Sequence, residues 1–183
     1  MKRPLAEAHA VVAFWQDAGE KGAWFAKDPA FDTAFRERFL DLHVAAARRE
    51  CDGWGGTPEG ALALMVLLDQ YPRNAFRGTA HMYATDPLAR LHARHAQENG
   101  HMARFEGDIR LFFCLPFAHS ESLADQDVSV ALNAVLGEPW LSHAEGHRDI
   151  IRRFGRFPHR NDLLARDTTP EEAAFLLEGG FAG

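Results

Sequence analysis

Asp69 closes the most apolar stretch of the chain and is followed by Arg73 and Arg77 at i+4 and i+8. A carboxylate at the C-terminal end of a helix meets the negative end of the macrodipole, which disfavours it by about 0.3–1 kcal/mol. A bidentate arginine partner across the following chain reversal offsets that cost. Such a pair either fixes the turn or forms a polar pocket in which Asp69 aims an arginine at a ligand, and the two roles are compatible.

The string around it, Tyr71-Pro72-Arg73-Asn74, has a near-repeat in Phe157-Pro158-His159-Arg160-Asn161. Both run aromatic, proline, arginine, asparagine just after a helix, an order that turn-forming Pro and Asn explain in part. The second string sits in an arginine-rich stretch, since residues 147–166 carry Arg148, Arg152, Arg153, Arg156, Arg160 and Arg166 against Asp149 and Asp162. Clustered guanidinium groups are costly to desolvate unless carboxylates or bound anions partner them. If the two strings converge, then Asp69, Arg73, Asn74, Arg77, Arg153, Arg156, His159, Arg160 and Asn161 line one concavity suited to a carboxylate or phosphate.

Two histidines are candidates for acid-base work. His119 lies in a loop before the helix that begins near Ser122, where Glu121 and Asp125 read as favourable acids at a helix N-terminus. His147 occupies one place in an otherwise apolar stripe of Trp140, Ala144, Ile151 and Phe154, a setting that also suits a hydrogen-bonded core histidine. His143 and His147 are one turn apart, but no HExxH string accompanies them, so no metal or other cofactor is expected. There is no glycine-rich phosphate loop, no GxSxG and no cysteine in a nucleophile's setting.

These side chains require helices to hold them. Asp28-Pro29, Thr57-Pro58-Glu59, Asp86-Pro87 and Thr169-Pro170-Glu171-Glu172 each place a capping side chain before a proline at the first helical position. Asn99-Gly100, Gly137, Gly155 and Gly179-Gly180 mark helix ends. Phe31, Phe35, Phe39 and Leu42 form one apolar stripe, and the segment from about 58 to 70 is apolar on every face, which predicts a central buried helix. Pro29, Pro58 and Pro87 recur every 29 residues, the order of a helix-pair repeat, but tetratricopeptide arrays repeat at ~34 and no such signature stands in register, so the spacing fits chance as well as an array.

Composition agrees. Thirty Ala and nineteen Leu stand against three Ile, seven Val and six Thr, which favours helices and argues against sandwiches, barrels and doubly wound sheets. The 183 residues predict a single all-helical domain, 1–183. The longest apolar run, Ala61 to Leu68, is far short of the ~20 residues that cross a bilayer. Lys2, Arg3, Pro4, Glu7 and His9 interrupt any signal-peptide core, and two isolated cysteines suit a reducing compartment, so a cytoplasmic location is expected. A net charge of −6 without a broad basic face argues against a duplex-binding protein, and neither nucleic acid nor membrane is an expected partner.

Several strings together resemble a known bacterial family: TPEGALALMVLLDQYPRNAFRGTA (57–80), ATDPLA (84–89), LFFCLPFAHSESLADQDVSVAL (111–132), HRDIIRRFGRFPHRN (147–161) and TTPEEAAFL (168–176). It is the domain of unknown function 924, and the resemblance spans nearly the whole chain. It implies an all-α fold, a tetratricopeptide-like array of antiparallel pairs with roughly eight or nine helices, and no particular activity. Two functions follow as expectations. One is a protein that binds a peptide, another protein or an anionic small molecule through an Arg/His/Asn-lined groove. The other is a small cytoplasmic enzyme acting on an anionic small molecule, with His119 or His147 as acid-base.

Overall fold

Three of the four predicted proline-headed starts form as read. Asp28 accepts from the Ala30 and Phe31 N–H groups, Thr57 from Gly60, and Thr169 with Glu172 makes a reciprocal capping box. The computed structural model describes residues 3–181, and Lys2 of the N-terminal reading lies outside them. Nine α-helices occur among the described residues: α1 (Leu5–Glu20), α2 (Pro29–Ala47), α3 (Pro58–Met65), α4 (Tyr71–Ala75), α5 (Asp86–Glu98), α6 (Leu115–Ala118), α7 (Leu123–Leu136), α8 (Trp140–Phe154) and α9 (Pro170–Leu177). The described residues are 73% helical, and no strand occurs among them. An array of tetratricopeptide type is compatible with these elements. None of the helices is long and apolar enough to cross a membrane.

The fourth start corrects the reading. Helix α5 begins at Asp86 itself, with Thr85 as the residue before it, so Asp86 is not a cap. Both side chains are engaged elsewhere, as the two strings below explain.

By its contacts the chain divides into two compact units, one of residues up to Arg77 with His81–Pro116 and one of Gly78–Ala80 with Phe117 onward. In the first, α1 and α5 pack on α3, and α2 packs on α4. Every residue from Gly60 to Pro72 is buried, as the all-round apolar character predicts. Trp15 stacks on Phe35 at 5.3 Å and meets Phe112 edge-on at 5.1 Å, while Tyr71 meets Phe35 edge-on at 5.1 Å. These aromatic pairs wall the buried helix.

The chain does not turn at Asp69. It continues through a wider π-type turn, Val66–Gln70, straight into α4, so Tyr71-Pro72-Arg73-Asn74 is helix rather than connection. Pro72 carries no N–H, so the wide turn is short of a backbone donor, and the carbonyls of Leu67 and Leu68 are met by side chains. His43 Nδ1 lies 2.9 Å from the Leu67 oxygen, and the Thr85 hydroxyl donates to the Leu68 oxygen at 2.5 Å. Arg73 Nη1 donates to the Asp69 oxygen at 2.7 Å. Side chains from distant segments thus complete a helix that its own backbone cannot.

In the second unit α7 packs along α8, and α9 packs on the turn Pro158–Arg160. Ile150, Ile151 and Phe157 form a small core against which Phe154 and Phe175 lean. Gly155, at φ 70°, ends α8 in a left-handed conformation that a side-chain-bearing residue adopts at a cost, and so turns the chain into Phe157.

Candidate functional site

The first string spends its charge internally. Arg73 donates to both oxygens of Asp86, at 2.8 and 3.0 Å, and its Nη1 lies 3.2 Å from Asp69. The bidentate partner is therefore Asp86 and not Asp69, because α5 presents that carboxylate where the chain reversal was expected to present Asp69. Burial works against the Arg73 charge, and Asp69 and Asp86 outweigh it and raise its pKa. Gln70 Nε2 donates to the other Asp69 oxygen at 2.5 Å. Asp32 of α2 accepts from Asn74 Nδ2 at 2.8 Å and from Arg77 through Nε at 2.9 Å and Nη2 at 3.1 Å, so Arg77 also does not serve Asp69.

The second string is similarly supplied, by carboxylates distant in sequence. Arg156 grips buried Glu172 through Nε at 2.6 Å and Nη2 at 2.8 Å, and Asn161 Nδ2 reaches the same carboxylate at 3.2 Å. Arg156 is the chief cause that pushes the Glu172 carboxyl down to about 2. Arg153 pairs with Glu171 at 2.9 Å, and Arg148 and Arg152 with Asp127, Glu145 and Asp149. Arg166 clasps Glu121 at 2.9 and 2.8 Å, and Glu121 also accepts the Phe157 N–H at 3.0 Å. Burial alone would raise Glu121; Arg166, the Phe157 N–H and Arg160 hold it below its ordinary value. Glu121 is thus a cross-link to Arg166 rather than a helix acid, and Asp125 accepts from the Ser120 hydroxyl at 2.6 Å. Each string takes these partners from its own unit.

What gathers differently is a basic and aromatic group in the second unit. The Phe157 ring lies 5.7 Å from the rings of both His147 and His159, and the Arg160 guanidinium sits over its face at 4.4 Å. Phe181 meets His147 edge-on at 4.6 Å and His159 at 5.1 Å. Burial lowers His147 to about 3, and His119, Arg160, His159 and His143 all act in the same direction. His147 Nδ1 is buried without a hydrogen-bond partner. Of the candidate residues, His119, His159 and Arg160 act on His147 here; Arg153, Arg156 and Asn161 face carboxylates.

A neutral imidazole whose conjugate acid lies near 3 is a weak base and no acid at neutral pH, which weakens the acid-base role considered for His147. Burial raises the thiols of Cys51 and Cys114 to about 11 and about 12, so neither is an activated nucleophile. Among the described residues no group of three or more His, Cys, Asp or Glu is arranged to hold a metal ion. A cavity of about 280 Å³ in the first unit is lined by Arg3, Leu40, Asp41, Val44, Ala45, Arg48 and Glu50, none of them among the candidates.

The sequence reading missed Asp32, Asp86, Glu172, Phe157 and Phe181. Asp86 and Glu172 stood beside cap prolines and read as cap chemistry, which Glu172 performs in addition to binding Arg156. Phe181 follows a Gly-Gly pair that was read only as a stop.

A family model described as a bacterial protein of unknown function (DUF924) matches residues 11–180. Among solved structures, a protein of unknown function from Agrobacterium tumefaciens, ATU0120, is 58% identical. It covers 95% of this chain and 98% of its own, with a TM-score of 0.92. No curated protein matches.

Proposed function

The chain belongs to the bacterial DUF924 family of unknown function, and on its side chains we propose that it binds an oxyanion, a carboxylate or phosphate on a small molecule or peptide end, at His119, His147, His159 and Arg160. One observation carries the reading: the Arg160 guanidinium and the His147 and His159 rings group around the Phe157 ring. His147 is neutral at pH 7, so the Arg160 guanidinium supplies the positive charge for an anion and the imidazole supplies a neutral N–H donor. Arg160 also acts on Glu121, so a bound anion shares that guanidinium with the carboxylate.

Binding without turnover is the better-supported form, because the side chain nearest the centre of the group has its conjugate acid far below neutral pH. The helical scaffold, stacked in tetratricopeptide fashion, presents the group, and free buried Cys51 and Cys114 suit action in the cytoplasm. The test is a titration with inorganic phosphate against chloride at matched ionic strength, read as melting temperature and as heat of binding. A ligand taken only by the folded state raises the melting point in a saturable way. The increment is expected to vanish in Arg160→Gln and His147→Gln and to persist in Arg77→Gln. An identical response to phosphate and chloride, or full retention in the first two variants, overturns the reading.

A further inference from the structure

Phe181 is the one member of the aromatic group that comes from neither a helix nor the Phe157–Asn161 turn. It follows the end of α9, where Gly179 takes φ 85° and donates its N–H to Leu176 at 3.3 Å, and Gly180 donates to Phe175 at 2.9 Å. A Cβ on Gly180 would stand 2.5 Å from the Phe175 oxygen, so only glycine brings the chain through this close approach. The strap is thereby anchored one residue before Phe181, and its ring is delivered to a set place.

That place is a box for a six-membered ring. Phe181 stands edge-to-face to His147 (73°) and His159 (82°), with the Phe157 centroid 6.4 Å away, an arrangement specific to aromatic partners. Yet the residue is 42% exposed, more like a side chain resting on a site than one built into a core. Rotation about its own bonds carries it into the solvent that it already faces. Arg160, over the Phe157 ring at 4.4 Å, supplies a guanidinium to an anion attached to such a ring.

We infer that the His147, His159 and Phe157 box takes the ring of an aryl oxyanion, an aromatic phosphate or carboxylate, with Arg160 as anchor for the anion and Phe181 as the tethered ring marking the place. The inference rests on the oxyanion reading above and narrows it to a ligand class. It makes Phe181 an intramolecular competitor, present at the high effective concentration that a short tether confers.

Binding of phenyl phosphate and of inorganic phosphate is measured by calorimetry on the full chain, its Phe181→Ala variant and its Phe181→Leu variant, which keeps apolar bulk without a ring. Removing the competing ring is expected to tighten phenyl phosphate about fivefold or more, as edge-to-face contacts pass from Phe181 to the ligand. Inorganic phosphate is expected to bind all three proteins alike, and Phe181→Leu to fall between the others for phenyl phosphate. If both anions bind but Phe181→Ala gives phenyl phosphate no advantage over inorganic phosphate, the aryl assignment is overturned and the oxyanion reading stands. If neither anion binds any of the three, both fall together.

Discussion

Arg73 and Asp86 form a two-point ion pair at 2.8 and 3.0 Å that ties α4 to the start of α5. Both side chains are largely withdrawn from water, at 15% and 7% exposure, so each depends on the other for compensation. Arg73→Ala is expected to cost about 3–5 kcal/mol in urea unfolding, because it leaves Asp86 without its main counter-charge. The triple variant Arg73→Met/Asp69→Asn/Asp86→Leu removes the guanidinium with both carboxylates that it compensates and is expected to lose clearly less. Equal losses in the single and triple variants would show that these groups contribute through packing alone.

Leu64 is fully buried in the last turn of α3. Leu64→Ala is expected to cost ~2–5 kcal/mol through lost transfer energy and the cavity left behind. A chemical-denaturation loss under ~1 kcal/mol would mean that the walls collapse onto the site.

Thr85 spends its hydroxyl on the Leu68 carbonyl that Pro72 cannot serve. Thr85→Val keeps the shape and removes the donor, so it is expected to cost about 1–3 kcal/mol, the penalty of a buried acceptor left unsatisfied. Pairing it with Pro72→Ala, which restores an N–H to the helix, is expected to recover part of that loss.

Acid acts on the fold in two windows. His147 is lowered from 6.5 to about 3 in the folded chain, so the unfolded chain binds the proton first and stability declines as pH falls below 6.5. His43 and His92, also lowered by burial, add to the same decline. Glu172 is lowered from 4.5 to about 2, so its contribution is complete above 4.5 and lost as pH falls towards 2. In urea midpoints measured from pH 7 to 2.5, His147→Gln is expected to flatten the slope between 6.5 and 4.5. Glu172→Gln is expected to start lower, with its gap to the parent closing only below 4.5. A gap that stays constant across that lower window would mean that the Glu172 carboxylate charge adds nothing to stability.

Much of the helical frame was legible from residues alone, since a cap, an N1 proline or a stop glycine acts within one turn of its own position. Asp28, Thr57 and Thr169 capped where they were read, and the run from Gly60 to Leu68 was buried because no face of it was polar. The second arginine string was legible as a cluster, though not as a set of pairs.

Packing decided which charges meet. Arg73 kept Asp69 four residues back but found its bidentate carboxylate 13 residues on, and Arg166 found Glu121 across 45, separations over which periodicity carries no information. The helix ran on through Pro72 only because His43 and Thr85 were brought to its orphaned carbonyls, a tertiary override of a local breaking signal. The grouping of His147, His159, Arg160 and Phe181 was decided the same way: α8, the Phe157 turn and the α9 strap each supply a part, and no local rule relates the three.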